Sequence, residues 1–106
     1  MSASHAQQLS ETRQRILHLL LSEHDLVDVL LDKSVDLNAA ELRKITGWRQ
    51  QLEHELPQLH AADLADILEA LPEEERLALW RLVPYEQRGR VLVEASETVW
   101  ASLTEE

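Results

Sequence analysis

The sequence contains no cysteine and no phenylalanine, and only two glycines, three prolines and one tyrosine. The absence of cysteine excludes disulfides, thiolate metal ligands and a thiol nucleophile, and it fits a reducing cytoplasm. Without phenylalanine, a core for 106 residues must be assembled from Leu, Ile, Val, Ala and three Trp. Two glycines supply few positions for positive φ, which argues against strands joined by tight hairpins. Neither Gly47 nor Gly89 lies in a Gly-rich phosphate loop. Long apolar runs are missing too. Stretches such as Leu19–Leu21 fall far short of the roughly 20 apolar residues of a membrane span, so direct membrane insertion by this chain is not expected. The polar start MSASHAQQLSETRQR does not resemble a signal peptide.

Positive charge is also scarce. Ten Lys and Arg face twenty Asp and Glu, for a formal charge of −10. The excess is uneven: residues 1–56 carry −3 and residues 57–106 carry −7. Such a field repels phosphate backbones, so nucleic acid is not an expected partner, whereas cations and basic protein surfaces are attracted. The five histidines, at 5, 18, 24, 54 and 60, show no i, i+4 pairing of the zinc-binding kind. No Ser/His/acid grouping can be assembled from local spacing, and the chain is not expected to be an enzyme.

What the chain does have is helix formers. Leu, Ala, Glu, Arg and Gln dominate, which predicts an all-α fold. Residues 1–8 read as a flexible N-terminus and residues 9–106 as one helical domain. A first helix is predicted over Leu9–Leu21, with Leu9, Ile16, Leu17, Leu20 and Leu21 at helical spacing. Ser22 is predicted to N-cap a second helix carrying Leu26, Val27, Leu30 and Leu31, ending near Asp32–Ser34. Asn38-Ala39-Ala40-Glu41 has the form of a capping box. The helix it opens should reach Leu56 and bury Leu42, Ile45, Trp48, Leu52 and Leu56, with Gly47 permitting close packing.

From Leu56 the texture changes. Leu56-Pro57, Leu71-Pro72 and Val83-Pro84 punctuate the chain at intervals of fifteen and twelve residues. Proline disfavours helix in the residue before it and is tolerated in the first turn of a new one. Short helices are therefore predicted over Ala61–Ala70, Glu73–Leu82, Tyr85–Ala95 and Glu97 to about Leu103. Their stripes are Leu64, Ile67, Leu68 and Leu71; Leu77, Leu79, Trp80 and Val83; Val91, Leu92 and Val93; and Val99, Trp100 and Leu103. Helices below about 12 residues are marginal alone in water, so they must stack, which predicts a superhelical, solenoid-like array. An up-down bundle would want longer helices. Trp48, Trp80 and Trp100 all sit on apolar stripes and are expected in the core.

The run from Leu59 to Pro84, with His60, Asp63-Leu64, Leu71-Pro72-Glu73, Arg76 and Val83-Pro84 in that order, resembles the cytoplasmic N-terminal domain of MgtE-type magnesium transporters. The likeness covers roughly residues 57–103. It implies an acidic superhelical domain that regulates a magnesium transporter, with a pair of CBS modules and a membrane domain as partners. It also implies a cytoplasmic location as the soluble part of an inner-membrane protein, and a homodimer formed through the full-length protein. Arg90 stands where the family carries a magnesium-contacting Glu, so no ligand is carried over by alignment. Flagellar motor switch proteins have similar short-helix repeats, which keeps a metal-independent interaction scaffold as the alternative.

The residues themselves offer two candidate sites. Asp63, Asp66 and Glu69 lie at i, i+3 and i+6 along one predicted helix, and Glu94 follows two helices later. These carboxylates are candidates for weak, low-affinity contact with hydrated Mg2+; the alternative is a solvated helix face. Glu73-Glu74-Glu75 opens a helix, where negative charge is favoured by the dipole. Arg88 and Arg90, beside Glu86 and Glu94, are the candidate residues of a charged docking face.

Overall fold

In a computed structural model, backbone is described for residues 2–104 and side chains for residues 9–104. The described chain is all-α: α1 (Ser2–Ser22), α2 (His24–Leu30), α3 (Ala39–Glu55), a 3₁₀ turn (Leu56–Gln58), α4 (Ala61–Ala70), α5 (Glu73–Leu82), α6 (Tyr85–Glu94) and α7 (Glu97–Thr104). No strand occurs among the described residues. The backbone of α1 is helical from Ser2, seven residues ahead of the expected start at Leu9. The expectation of a flexible segment at residues 1–8 falls on side chains outside the described set.

Local chemistry explains most boundaries. Asn38 caps α3 with a complete capping box: Glu41 N–H donates to Asn38 Oδ1 at 2.8 Å, and Asn38 N–H donates to Glu41 Oε1 at 3.3 Å. Leu71 and Val83, each held extended by the proline that follows, end α4 and α5. Pro72 and Pro84 then occupy the N-cap positions of α5 and α6 rather than their first turns. At the next junction Ser96 replaces the proline, and its Oγ accepts from Val99 N–H at 3.3 Å. The end of α2 is a Schellman motif, with Lys33 N–H donating to Asp28 O and Asp32 N–H to Val29 O. Its left-handed position is taken by Asp32, at φ 61°.

The predicted cap at Ser22 is not formed. Ser22 Oγ donates back to His18 O at 2.5 Å, and Glu23 takes the N-cap position of α2. Glu23 N–H also extends the α1 ladder by donating to Leu19 O, so the two helices meet with a break too short for Ser22 to cap.

The short helices stack in two rows. In one, α4 packs against α6; in the other, α5 lies between α2 and α7. Helices α4 to α7 thus alternate between the two rows, with α4 meeting α6 and α5 meeting α7 two places along the chain, as in a solenoid, while α5 packs most extensively on α2. Against them, α1 lies across α4, α2 and α5, while α3 rests on the 3₁₀ turn and α2. The molecule is a slab of 42 × 37 × 22 Å with a radius of gyration of 14.0 Å, somewhat above the roughly 13 Å of a compact domain this size.

One core runs through the stack. It includes Ile16 and Leu20 from α1, Leu26 and Val27 from α2, Ile45 and Leu52 from α3, and Leu56. Leu64, Ile67, Leu68, Leu71, Leu79, Trp80, Val91, Val99 and Leu103 continue it. Five sequence expectations for the core fail. Leu21, placed on the apolar stripe of the first helix, is 47% exposed. Leu42 is 52% exposed, because it stands about 60° around α3 from the Ile45–Leu52 seam. Val93 is 83% exposed, since it projects nearly opposite Val91 on the same helix. Trp100 is 49% exposed, because α7 buries the Val99–Leu103 row instead. Gly47 has open space beside it, with nothing within 4 Å of where a Cβ would sit; no close packing depends on it.

Candidate functional site

The region with the most developed polar architecture is the α4–α5–α6 array. At each two-residue link the helix ends with a C-cap N–H, of Leu71 or Val83, donating to the carbonyl three residues back, of Leu68 or Trp80. An arginine adds donors to that carbonyl and to the one at the C-cap. Arg76, in the first turn and a half of α5, donates from Nε to Leu68 O at 2.8 Å and from Nη2 to Leu71 O at 3.0 Å. One repeat later, Arg88 of α6 donates from Nη2 to Trp80 O at 3.2 Å and from Nε to Val83 O at 3.1 Å. The carbonyls lie eight and five residues before the arginine in both cases. The planar guanidinium fork suits such paired acceptors, and its charge complements the negative end of the helix.

These clamps correct one expectation. Arg88 is not part of a solvent-facing charged face. It is partly buried, and its guanidinium lies 5.1 Å from the centre of the Trp80 ring and 4.5 Å from that of Tyr85. Arg90 is exposed, on the outer side of α6. Sequence reasoning missed the clamp role of Arg76 and Arg88. A signal was present, because Pro72-x-x-x-Arg76 and Pro84-x-x-x-Arg88 repeat at twelve residues.

The array is tied sideways by Gln87, whose Nε2 donates to Leu59 O at 3.2 Å. Lys33 reaches across to Glu74 at 3.0 Å, and Arg81 to Asp32 at 3.0 Å and Leu30 O at 3.1 Å, joining α5 to the end of α2. The hydrogen bond and charge of Glu74 raise the pKa of Lys33.

The candidate carboxylates are spread out. Asp63 and Asp66 line a shallow cleft with Leu9, Ser10, Arg13 and Ile67. Arg13 approaches Asp66 at 3.6 Å and brings positive charge to the place where a cation would sit. Glu69 is exposed near the end of α4, and Glu94 at the end of α6. Among the described residues, no three His, Cys, Asp or Glu side chains come together as a metal-holding group. The oxygen donors are of the type magnesium prefers, but they do not converge into a coordinating cage.

The twelve-residue Pro–Arg repeat and the helices α4 to α7 belong to the same half of the chain, and that half is what a comparison with protein families detects. Residues 59–106 match the MgtE intracellular N domain. This part of the chain therefore resembles the MgtE-type N-terminal domain, and the all-α array agrees with that assignment. No curated protein and no solved structure matches the chain. MgtE N domains are parts of a transporter and not an enzyme family. No described helix is long and apolar enough to cross a membrane. The MgtE-like segment contains both arginine clamps and all four candidate carboxylates.

Proposed function

We propose that this chain is the cytoplasmic regulatory domain of a magnesium transporter, working by docking its acidic short-helix array against the CBS modules and membrane domain of the same transporter. The match of residues 59–106 to the MgtE intracellular N domain carries the reading, and the charge of −7 over residues 57–106 supports it. Magnesium enters only as a hydrated, weakly held counter-ion over Asp63, Asp66 and Glu69, with Glu94 as a further exposed contact. Titrating the chain with magnesium at constant ionic strength, while following backbone amide shifts, tests this. Saturable shifts confined to those positions support it; shifts no different from those given by sodium remove magnesium from the reading.

A metal-independent interaction scaffold is the second reading. The exposure of Tyr85, Arg90 and Val93 on α6 favours it. Partner capture that is unchanged by a chelator and weakened by Arg90→Glu supports the scaffold. Capture abolished by chelation returns the case to the first reading.

A further inference from the structure

The links of the short-helix array are not built alike. Those between α4 and α5 and between α5 and α6 share three locks. A proline holds the residue before it extended. The N–H of that residue, Leu71 or Val83, closes onto the carbonyl three residues back. An arginine at the fourth position of the next helix then donates to two carbonyls of the turn.

The link from α6 to α7 has the same length and register, with Ala95 and Ser96 between the helices. Among the described residues it has none of the three locks. Ser96 stands where the prolines stand, so the extended Ala95, at φ −74° and ψ 149°, has no following ring to hold it. Ala95 N–H donates to Val91 O, four residues back rather than three. Trp100 occupies the arginine position, the fourth of α7. Leu92 and Ala95 lie eight and five residues before it, the spacing of the clamped carbonyls. An indole has a single donor, and that of Trp100 meets no carbonyl among the described residues. The link is closed instead by a lone cap, Ser96 Oγ accepting from Val99 N–H at 3.3 Å.

We infer that Ala95-Ser96 is a hinge, about which α7 lifts from α5 while the clamped α4–α5–α6 part stays closed. Hinges are a few element-terminal residues that absorb changes in φ and ψ, and this link is the least constrained of the array. Val99 and Leu103, 1% and 4% exposed when α7 is docked, come into water when it lifts. An eight-residue helix without that packing is marginal in water, so the lifted segment also loses its helix. The device is an order–disorder switch confined to α7. It rests on neither reading of the proposed function and needs no metal.

The test is native-state hydrogen exchange of the full chain, followed amide by amide in water and in low urea. The amides of Trp100, Ala101, Ser102 and Leu103 should exchange through one shared opening, at least about tenfold more often populated than that of the slowest amides in α4. That opening should respond little to urea, because it exposes little surface. Trp100→Arg supplies the missing fork at a half-exposed position and should slow exchange throughout α7 about tenfold. Trp100→Lys adds the same charge without the planar pair of donors and should slow it far less. Fraying from the far end of α7 leaves the link closed, so it would give exchange that rises residue by residue toward Thr104 and ignores Trp100→Arg. That pattern overturns the hinge. So do α7 amides as well protected as those of α4, an α7 whose exchange Trp100→Arg does not slow, or a Trp100→Lys protein equal to Trp100→Arg.

Discussion

Replacing Arg76 by Met keeps the apolar stem and removes the fork that holds Leu68 O and Leu71 O. A hydrogen bond to a charged donor contributes about 1.5–3 kcal/mol net. Arg76 is only partly buried, however, and water can reach part of what it leaves behind. The two bonds together are therefore worth about 2 kcal/mol rather than the full sum. For a domain near this size each kcal/mol corresponds to roughly 4–8 °C, so Arg76→Met should lower the thermal midpoint by about 8–16 °C. Arg88→Met should lose about 0.5–1 kcal/mol more, through its contacts with the Trp80 and Tyr85 rings. Arg76→Lys should recover little, because an ammonium lacks the planar pair of donors. Urea unfolding followed by far-UV circular dichroism measures each variant, with exposed Arg90→Met as the control expected within about 0.5 kcal/mol of the parent. An Arg76→Met protein as stable as that control, or an Arg76→Lys protein equal to the parent, would refute the clamp.

Asn38→Ala removes the capping box of α3 and should lower stability by about 1 kcal/mol, with hydrogen exchange accelerating first at the start of that helix. Asp32→Gly relieves a left-handed aspartate at the cost of an exposed pair with Arg81, and should be stabilising by up to about 1 kcal/mol because surface pairs contribute little. Asp32→Val, forced into the same φ, should be destabilising, and comparing the two by thermal melts checks the sign. The folded-state pKa of Lys33 lies above its ordinary value, so its contribution is fully present below the unfolded-state pKa of about 10.5 and is lost as pH rises through the folded-state value. The stability difference between the parent and Lys33→Met should therefore be flat across neutral pH and shrink only in the alkaline range, as measured by urea unfolding at several pH values.

The sequence was most legible where the chain is forced to turn. Pro72 and Pro84 cannot continue the preceding helices, and the predicted α4 and α5 coincide with those observed, residue for residue. The Asn38 box was equally plain, because its two hydrogen bonds are local. Burial was less legible. In α6 the consecutive run Val91-Leu92-Val93 spans too much of the helix circumference to be buried together, and only the stack decides that Val91 goes inside. Arg88 was misplaced for a related reason. Its charge suggested solvent, whereas its partners are the carbonyls of Val83 and Trp80, five and eight residues earlier at the end of α5. The carboxylates could be located by number on their helices, but their spacing gave no hint that Arg13 would arrive from α1 beside Asp66.

The two-row arrangement also bears on what happens if the backbone is cut. A break between Leu71 and Pro72 separates α4 from α5, yet α4 still finds α6 on the far side of the cut, and α5 still finds α2 and α1. The two fragments interleave like the fingers of clasped hands. Mixed together, they should reassemble into the parent shape without the peptide bond that once joined them.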